Sequence, residues 1–404
     1  MTSRPFLDSP TQLKVLDLGT QVAGPFAATL LGDLGAEVIK IEQPGTGDPG
    51  RGVDGMSPRW QVDGRNKRSI TLNLRTAEGQ AILRRLAGWA DILVENFRPG
   101  VMDRWGIGYE ALRAIHPGLV YVAISGFGAS GPYSGLSGYD YVGSAVGGMT
   151  ALTGDPGQPP VVPGLYVVDH SAGLFGALGA LEAVRRRDVP GGDGLGAYVD
   201  LALYEAVLRY ASTDLVDYSL NGAVRQRAGG SPRRDGHPEM TVWYAYRTRD
   251  GRYLSISPVT MGQITDLRSV IQDEALLDPD FETLSGRMGK AAAFYDIIDR
   301  WVGARDFDEV WARLSATSVP VGPVNTIPDI VADPHIRARG SLVTLENADG
   351  RPITMPAATP RIGVAPLAPR WTGERLGASN AQVYSELLGL SDAEIEDLQA
   401  RGVI

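Results

Sequence analysis

Asp169 is the side chain from which chemistry can be written most directly. It stands in LYVVDHSAGLFGALG, after a predicted strand and at the opening of a small-residue helix predicted over Ser171 to Val184. A helix N-terminus favours an ionised carboxylate, and Gly173, Gly176, Ala177 and Ala180 leave room for something to approach closely. An ionised Asp can attack an acyl carbonyl, such as that of a thioester, and form a mixed anhydride. The same position also suits an N-cap, the more frequent use of Asp at a helix start. On these residues alone both readings stand.

Two basic runs come next. Arg65, Lys67 and Arg68 lie in GRNKRS, with Arg75 shortly after in LNLR; Asn96, Phe97, Arg98 and Arg104 lie in ENFRPGVMDRWG. A single basic run is usually a solvated face. Two runs at loop edges of one sheet can instead form a shared anion site, because the planar guanidinium suits phosphate. Tyr139 and Asp140 in SGYDYVG read first as packing, His237 and Glu239 as solvated linker residues. Trp243, Tyr244 and Tyr246 suit either a small core or an acyl pocket. The four histidines show no metal-ligand spacing, so no metal site is expected. There is no G-x-G-x-x-G, P-loop or G-x-S-x-G motif.

The elements that must position these groups alternate. LKVLDL (13–18), EVIKI (37–41), 91–95 and 119–124 read as short apolar strands. Helices are expected at Pro25–Leu34, Ala77–Trp89 and Tyr109–Ile115. Strand–helix–strand units of this length predict right-handed crossovers and an open, doubly wound parallel α/β sheet, with ligands at the carboxyl ends of its strands. The stretch 221–238 turns polar and Gly/Arg-rich, as a linker does. A second unit follows, with strands at 242–247 and 253–256 around RDG, and the chain closes in a helix at 392–401.

Composition narrows the function classes. The 404 residues are 43% hydrophobic and 21% charged, with no cysteine. This excludes thiolate chemistry and disulfides and fits a reducing, cytoplasmic setting. The net charge of −9 argues against general nucleic-acid binding. The N-terminus lacks an apolar signal-peptide core, and no apolar run is long and unbroken enough to suggest a membrane span.

Taken in order, VAGPFAATLLGDLGAEVIKIEQPGTGD, NKRSITLNL, ADILVENFRPGVMDRWGIGYEALRAIHPGLVYVAISGFGASGPYS, GYDYVGSAVGGM, VVDHSAGLFGALGALEA and LLGLSDAEIEDLQARGVI resemble the class III CoA-transferase family, which also contains the alpha-methylacyl-CoA racemases. The resemblance implies a large open Rossmann-like CoA-binding domain, residues 1–220 and 325–404, with a linker and smaller α+β domain at 221–324. It implies an interlocked homodimer that moves CoA from an acyl-CoA to a carboxylic acid, with CoA as substrate and no tightly bound cofactor. Asp169 falls on the family's catalytic aspartate. CoA would lie near Val22, Ala23, Gln43, Leu72, Asn73, Arg75, Asn96, Phe97, Arg98, Arg104 and Tyr139. Related racemases carry a His base where this chain has Tyr139, a poor base at neutral pH, so transfer is expected over racemisation. The remaining alternatives are that racemase activity and a non-catalytic CoA-binding homologue. Gln43 and Ser137 replace basic residues found in some members.

Overall fold

The computed structural model describes residues 12–227, 229, 245–362 and 368–404. Those residues divide into two compact units.

The first unit holds a six-stranded sheet in the order β3-β2-β1-β4-β5-β6, with every neighbouring pair parallel. The strands are β1 (Lys14–Asp17), β2 (Glu37–Glu42), β3 (Lys67–Thr71), β4 (Ile92–Glu95), β5 (Val120–Ser125) and β6 (Tyr198–Ala202). They are apolar on both faces because helices cover both. Alternation then sorts the side chains. Leu16, Ile39, Leu93 and Tyr121 join one core, which the C-terminal residues Tyr384, Leu398 and Ile404 complete. Val15, Val38, Val94 and Val122 join the other, against Ala27, Ala172 and Ala177.

The helices before β6 are α1 (Ala23–Asp33), α2 (Pro58–Asp63), α3 (Ala77–Ala87), α4 (Val101–Arg104), α5 (Tyr109–Ile115), α6 (Asp140–Val146), α7 (Met149–Leu152) and α8 (Val167–Asp188). Most elements expected in the first third are present, with ends moved by a residue or two. Two differences matter. The basic run at Lys67 is a strand rather than a loop edge. The residues before Asp169 form no strand; they are the first turn of α8. By length and composition α8 could cross a membrane, but half of that stretch is buried inside the unit. Its Gly173 explains the close packing, since a Cβ there would lie 2.7 Å from Ala23 O on α1.

The second unit comprises Ala151–Val161 and Val224–Asp333. This departs from the expected 221–324 at its C-terminal end and by gaining the earlier segment. The gained segment belongs there because Arg227 donates to Ala151 O at 3.2 Å and to Gln158 O at 3.0 Å. Three antiparallel strands, Ala245–Arg247, Tyr253–Ile256 and Val321–Pro323, pack with helices around Leu254, Phe294, Ile298 and Leu314. Tyr246 is fully buried in that core, which supports packing over an acyl pocket. Trp243, Tyr244, His237 and Glu239 lie outside the described residues.

A candidate active site at the carboxyl edge of the sheet

Strand order reverses between β1 and β4, which makes their carboxyl ends the topological switch point where open α/β sheets bind ligands. One side chain ties the two loops there. Asn96 Oδ1 accepts from Thr20 N at 2.7 Å, and its Nδ2 donates to Thr20 O at 2.8 Å. Beside this clasp lies a hollow of about 160 Å³, lined by residues that include Gln21, Val22, Ala23, Asn96, Phe97, Arg98, Tyr139 and Asp169. Gly126 and Gly138 cross so closely on its wall that a Cβ on Gly126 would sit 2.7 Å from Gly138 Cα. An adjoining hollow of about 240 Å³ is lined by Gln43, Leu72, Arg75 and Trp105, and shares Thr20 and Phe97 with the first. Seven of the anticipated site residues, Asp169 included, thus meet in the first hollow, and Gln43, Leu72 and Arg75 meet in the second. Asn73 and Arg104 line neither. The Asn73 backbone N–H bonds Val403 O at 2.7 Å, and Arg104 is exposed on the short α4.

Asp169 is not the cap that its position suggested. It is the third residue of α8, and the capping is done by Asp140 at the start of α6, whose Oδ2 accepts from Val168 N at 2.9 Å and from Asp169 N at 3.0 Å. Those N–H groups would otherwise be orphans of the helix terminus. Asp169 is therefore spared. Only 9% exposed, its side chain accepts no hydrogen bond and forms no ion pair among the described residues. Burial pushes its carboxyl up to about 7, the negative charge of Asp140 adds to the rise, and the positive charge of Arg59 opposes it.

The two basic runs separate. Lys67 is buried on β3 and its Nζ lies 2.8 Å from Asp17 Oδ2. Arg65 pairs with Asp33, and Arg68 with Glu37 and Glu386. The first run is thus spent inside the fold, which corrects the expectation of a shared anion site. Arg75, Arg98 and Arg104 are exposed and have no carboxylate partner among the described residues.

Sequence reasoning missed the charges beneath the β1–α1 turn. Lys40, fully buried, lies 3.5 Å from Asp17 Oδ1 and 3.1 Å from Asp48 Oδ2, and donates to Gly19 O. Lys67 also donates to Pro25 O at 2.7 Å, so two lysines hold the turn that carries Val22 and Ala23. The available signal was a Lys inside EVIKI and an Asp inside VLDL, charges in otherwise apolar strands. Glu95 was missed too. Its Oε2 accepts from Phe97 N at 2.6 Å, fixing the turn before Arg98, and burial pushes its carboxyl up to about 8.

Known proteins match nearly the whole length of the chain. The model of CoA-transferase family III matches residues 11–380. A succinyl-CoA–D-citramalate CoA-transferase of Chloroflexus aurantiacus is 38% identical, with 97% of each chain covered. A succinate–glutarate CoA-transferase of Agrobacterium fabrum is 31% identical over 96% of this chain and 98% of that one. The crystal structure of a CAIB/BAIF family protein from Brucella suis superposes with a TM-score of 0.80 at 32% identity, covering 94% of this chain and 99% of the other. The chain belongs to CoA-transferase family III and is a CoA-transferase.

Proposed function

We propose that this CoA-transferase works through a covalent intermediate on Asp169, with CoA lying along the two joined hollows. The observation that carries the reading is the nearly buried carboxylate of Asp169, which has no partner among the described residues, on the wall of the first hollow. Leaving such a group unpaired is costly, and a nucleophile requires it. The nucleotide end of CoA would lie by Gln43, Leu72 and Arg75, with Arg98 and Arg104 free to meet phosphate charge. The thioester would reach Asp169 past Val22, Ala23 and Asn96.

The Asp169 carboxylate attacks the donor thioester carbonyl, the C–S bond breaks, and CoA thiolate leaves an aspartyl–acyl anhydride. The thiolate attacks the aspartyl carbonyl and expels the donor acid, leaving an aspartyl–CoA thioester. The acceptor carboxylate attacks that thioester, giving a second anhydride and thiolate. Attack of the thiolate on the acceptor's acyl carbonyl releases the new acyl-CoA and restores Asp169. Water must be kept from both anhydrides.

The relatives' substrates, succinyl-CoA with D-citramalate and succinate with glutarate, favour dicarboxylic acids here too. The same reading includes a cytoplasmic homodimer. In its support, the helix Ser212–Asn221 exposes Leu215, Val216, Tyr218 and Leu220, an apolar surface that suits a partner.

Asp169→Asn tests the central role. Transfer of CoA from succinyl-CoA to a labelled dicarboxylic acid is expected to fall at least about a thousandfold, while calorimetry still finds CoA bound. Transfer within tenfold of the unmodified protein would remove Asp169 from the mechanism.

A further inference from the structure

Arg59 is a cation of the first unit that takes no part in the CoA-transfer steps. It is the second residue of α2, half-buried, in a helix whose N-terminus is capped by Ser57 Oγ accepting from Trp60 N at 3.1 Å. The cations around it are engaged. Arg51 makes a bidentate pair with Glu42, both bonds 2.6 Å, and its guanidinium lies 3.7 Å above the Trp60 ring. Arg65, Lys40 and Lys67 have the carboxylate partners already described. Among the described residues Arg59 has no ion pair, not even with Asp63 on its own helix.

Arg59 is nonetheless held in place. Its guanidinium lies 4.6 Å above the ring of Tyr166, and Tyr166 in turn stacks on Tyr141 with ring centres 6.2 Å apart. Tyr166 is the N-cap residue of α8, three positions before Asp169. On its other side Arg59 Nη1 approaches Gln21 Oε1 at 3.4 Å, and Gln21 lines the hollow that contains Asp169. Gln21 itself takes a left-handed φ of 66°, uncommon outside glycine, with its N–H held by Asp48 Oδ1 at 3.0 Å. Departures of this kind collect at ligand-binding positions. The positive charge of Arg59 is felt at the Asp169 carboxyl.

A planar donor fork with one weak hydrogen bond and no anion, set between the N-cap of the Asp169 helix and a residue lining the Asp169 hollow, is a receptor for a carboxylate. We propose that Arg59 binds the distal carboxylate of a dicarboxylic acid whose other carboxyl group reacts at Asp169, and so sets the preference for dicarboxylic over monocarboxylic acids. The inference rests on the reading of Asp169 as the reacting group. A dicarboxylic acid bound this way has one carboxylate neutralised by Arg59 and its chain laid toward Asp169. A methyl-ended acid of the same length would leave the guanidinium unpaired.

The test pairs each dicarboxylic acid with its methyl-ended counterpart as CoA acceptor: succinate with butyrate, glutarate with valerate. It uses the full-length protein and its Arg59→Gln and Arg59→Lys variants. The unmodified protein is expected to prefer the dicarboxylic member of at least one pair. Arg59→Gln is expected to cut kcat/KM for that acid by about 10- to 100-fold more than for its counterpart, the range of a charge-assisted hydrogen bond. Arg59→Lys is expected to restore part of the preference, because it keeps the charge and loses the fork. Equal losses on both members would overturn the proposal and make Arg59 a modulator of Asp169 alone. No preference in the unmodified protein, or a preference that survives Arg59→Gln, would overturn it as well. Transfer to these acids that persists in Asp169→Asn would instead overturn the reading beneath it. Far-ultraviolet circular dichroism and thermal melting of the variants separate a folding defect from each of these results.

Discussion

Two sets of charged groups lie within the first unit and have opposite fates. Beneath the β1–α1 turn, Asp17 is fully buried and meets two lysines as well as Gly19 N at 2.9 Å. Burial works to raise its carboxyl, but Lys40 and Lys67 outweigh that and hold it below the usual range. In the first hollow, Asp169 is also buried, has no side-chain partner among the described residues, and rises to about 7. Arg75, Arg98 and Arg104 are exposed cations that likewise meet no carboxylate among the described residues. Paired charges here hold the β1–α1 turn; the unpaired ones are those that the proposed reading assigns to a ligand. Buried ionisable groups are thus divided by their partners, not by their burial.

Breaking the paired set is expected to cost stability first. Lys67→Met leaves the Asp17 carboxylate short of its closest cation, and such a break destabilises by about 3–5 kcal/mol. Urea unfolding at pH 7 checks it. A change below about 1 kcal/mol would mean that Lys40 alone suffices, on the same scale of pair energies.

On the unpaired side the sign reverses. A carboxyl raised from 3.8 to about 7 by folding contributes stability that is fully present below pH 3.8 and lost as pH rises through 7. Asp169→Asn is therefore expected to be more stable than the unmodified protein at pH 8, by about 2 kcal/mol after allowance for solvent at the hollow. The two should converge near pH 4. Chemical unfolding at the two pH values measures the difference. An Asn variant less stable at pH 8 would place a hidden partner on Asp169.

The finest effect concerns Asp140. The kcat/KM profile of the unmodified protein is expected to fall below about pH 7 as Asp169 takes up its proton. Asp140→Asn keeps an oxygen for the two backbone N–H groups and removes the charge that helps raise Asp169. The acid limb should move to lower pH. A limb that stays or moves up would show that another group controls it.

The sheet was legible because its strands are runs such as VLDL and EVIKI, whose apolar content follows from burial on both faces. The family resemblance pointed to Val22, Asn96, Phe97 and Asp169, and all four line one hollow. The local role of Asp169 was not legible. Its competitor for the cap, Asp140, is 29 positions away in the chain. The GRNKRS run misled for the same reason, since Arg65 and Lys67 find Asp33 and Asp17 at separations of 32 and 50 residues. Pairing is a tertiary property, and a one-residue window cannot tell a solvated arginine from a spent one. Tyr246 teaches the converse, because an aromatic beside a turn proved to be core.

The most direct test of the covalent account is mass spectrometry of peptides after incubation with succinyl-CoA and quenching with hydroxylamine. The account predicts a hydroxamate on the peptide that carries Asp169, dependent on the acyl-CoA and absent from Asp169→Asn. CoA transfer at full rate with no modification at Asp169, or with the modification on another carboxylate, would contradict it.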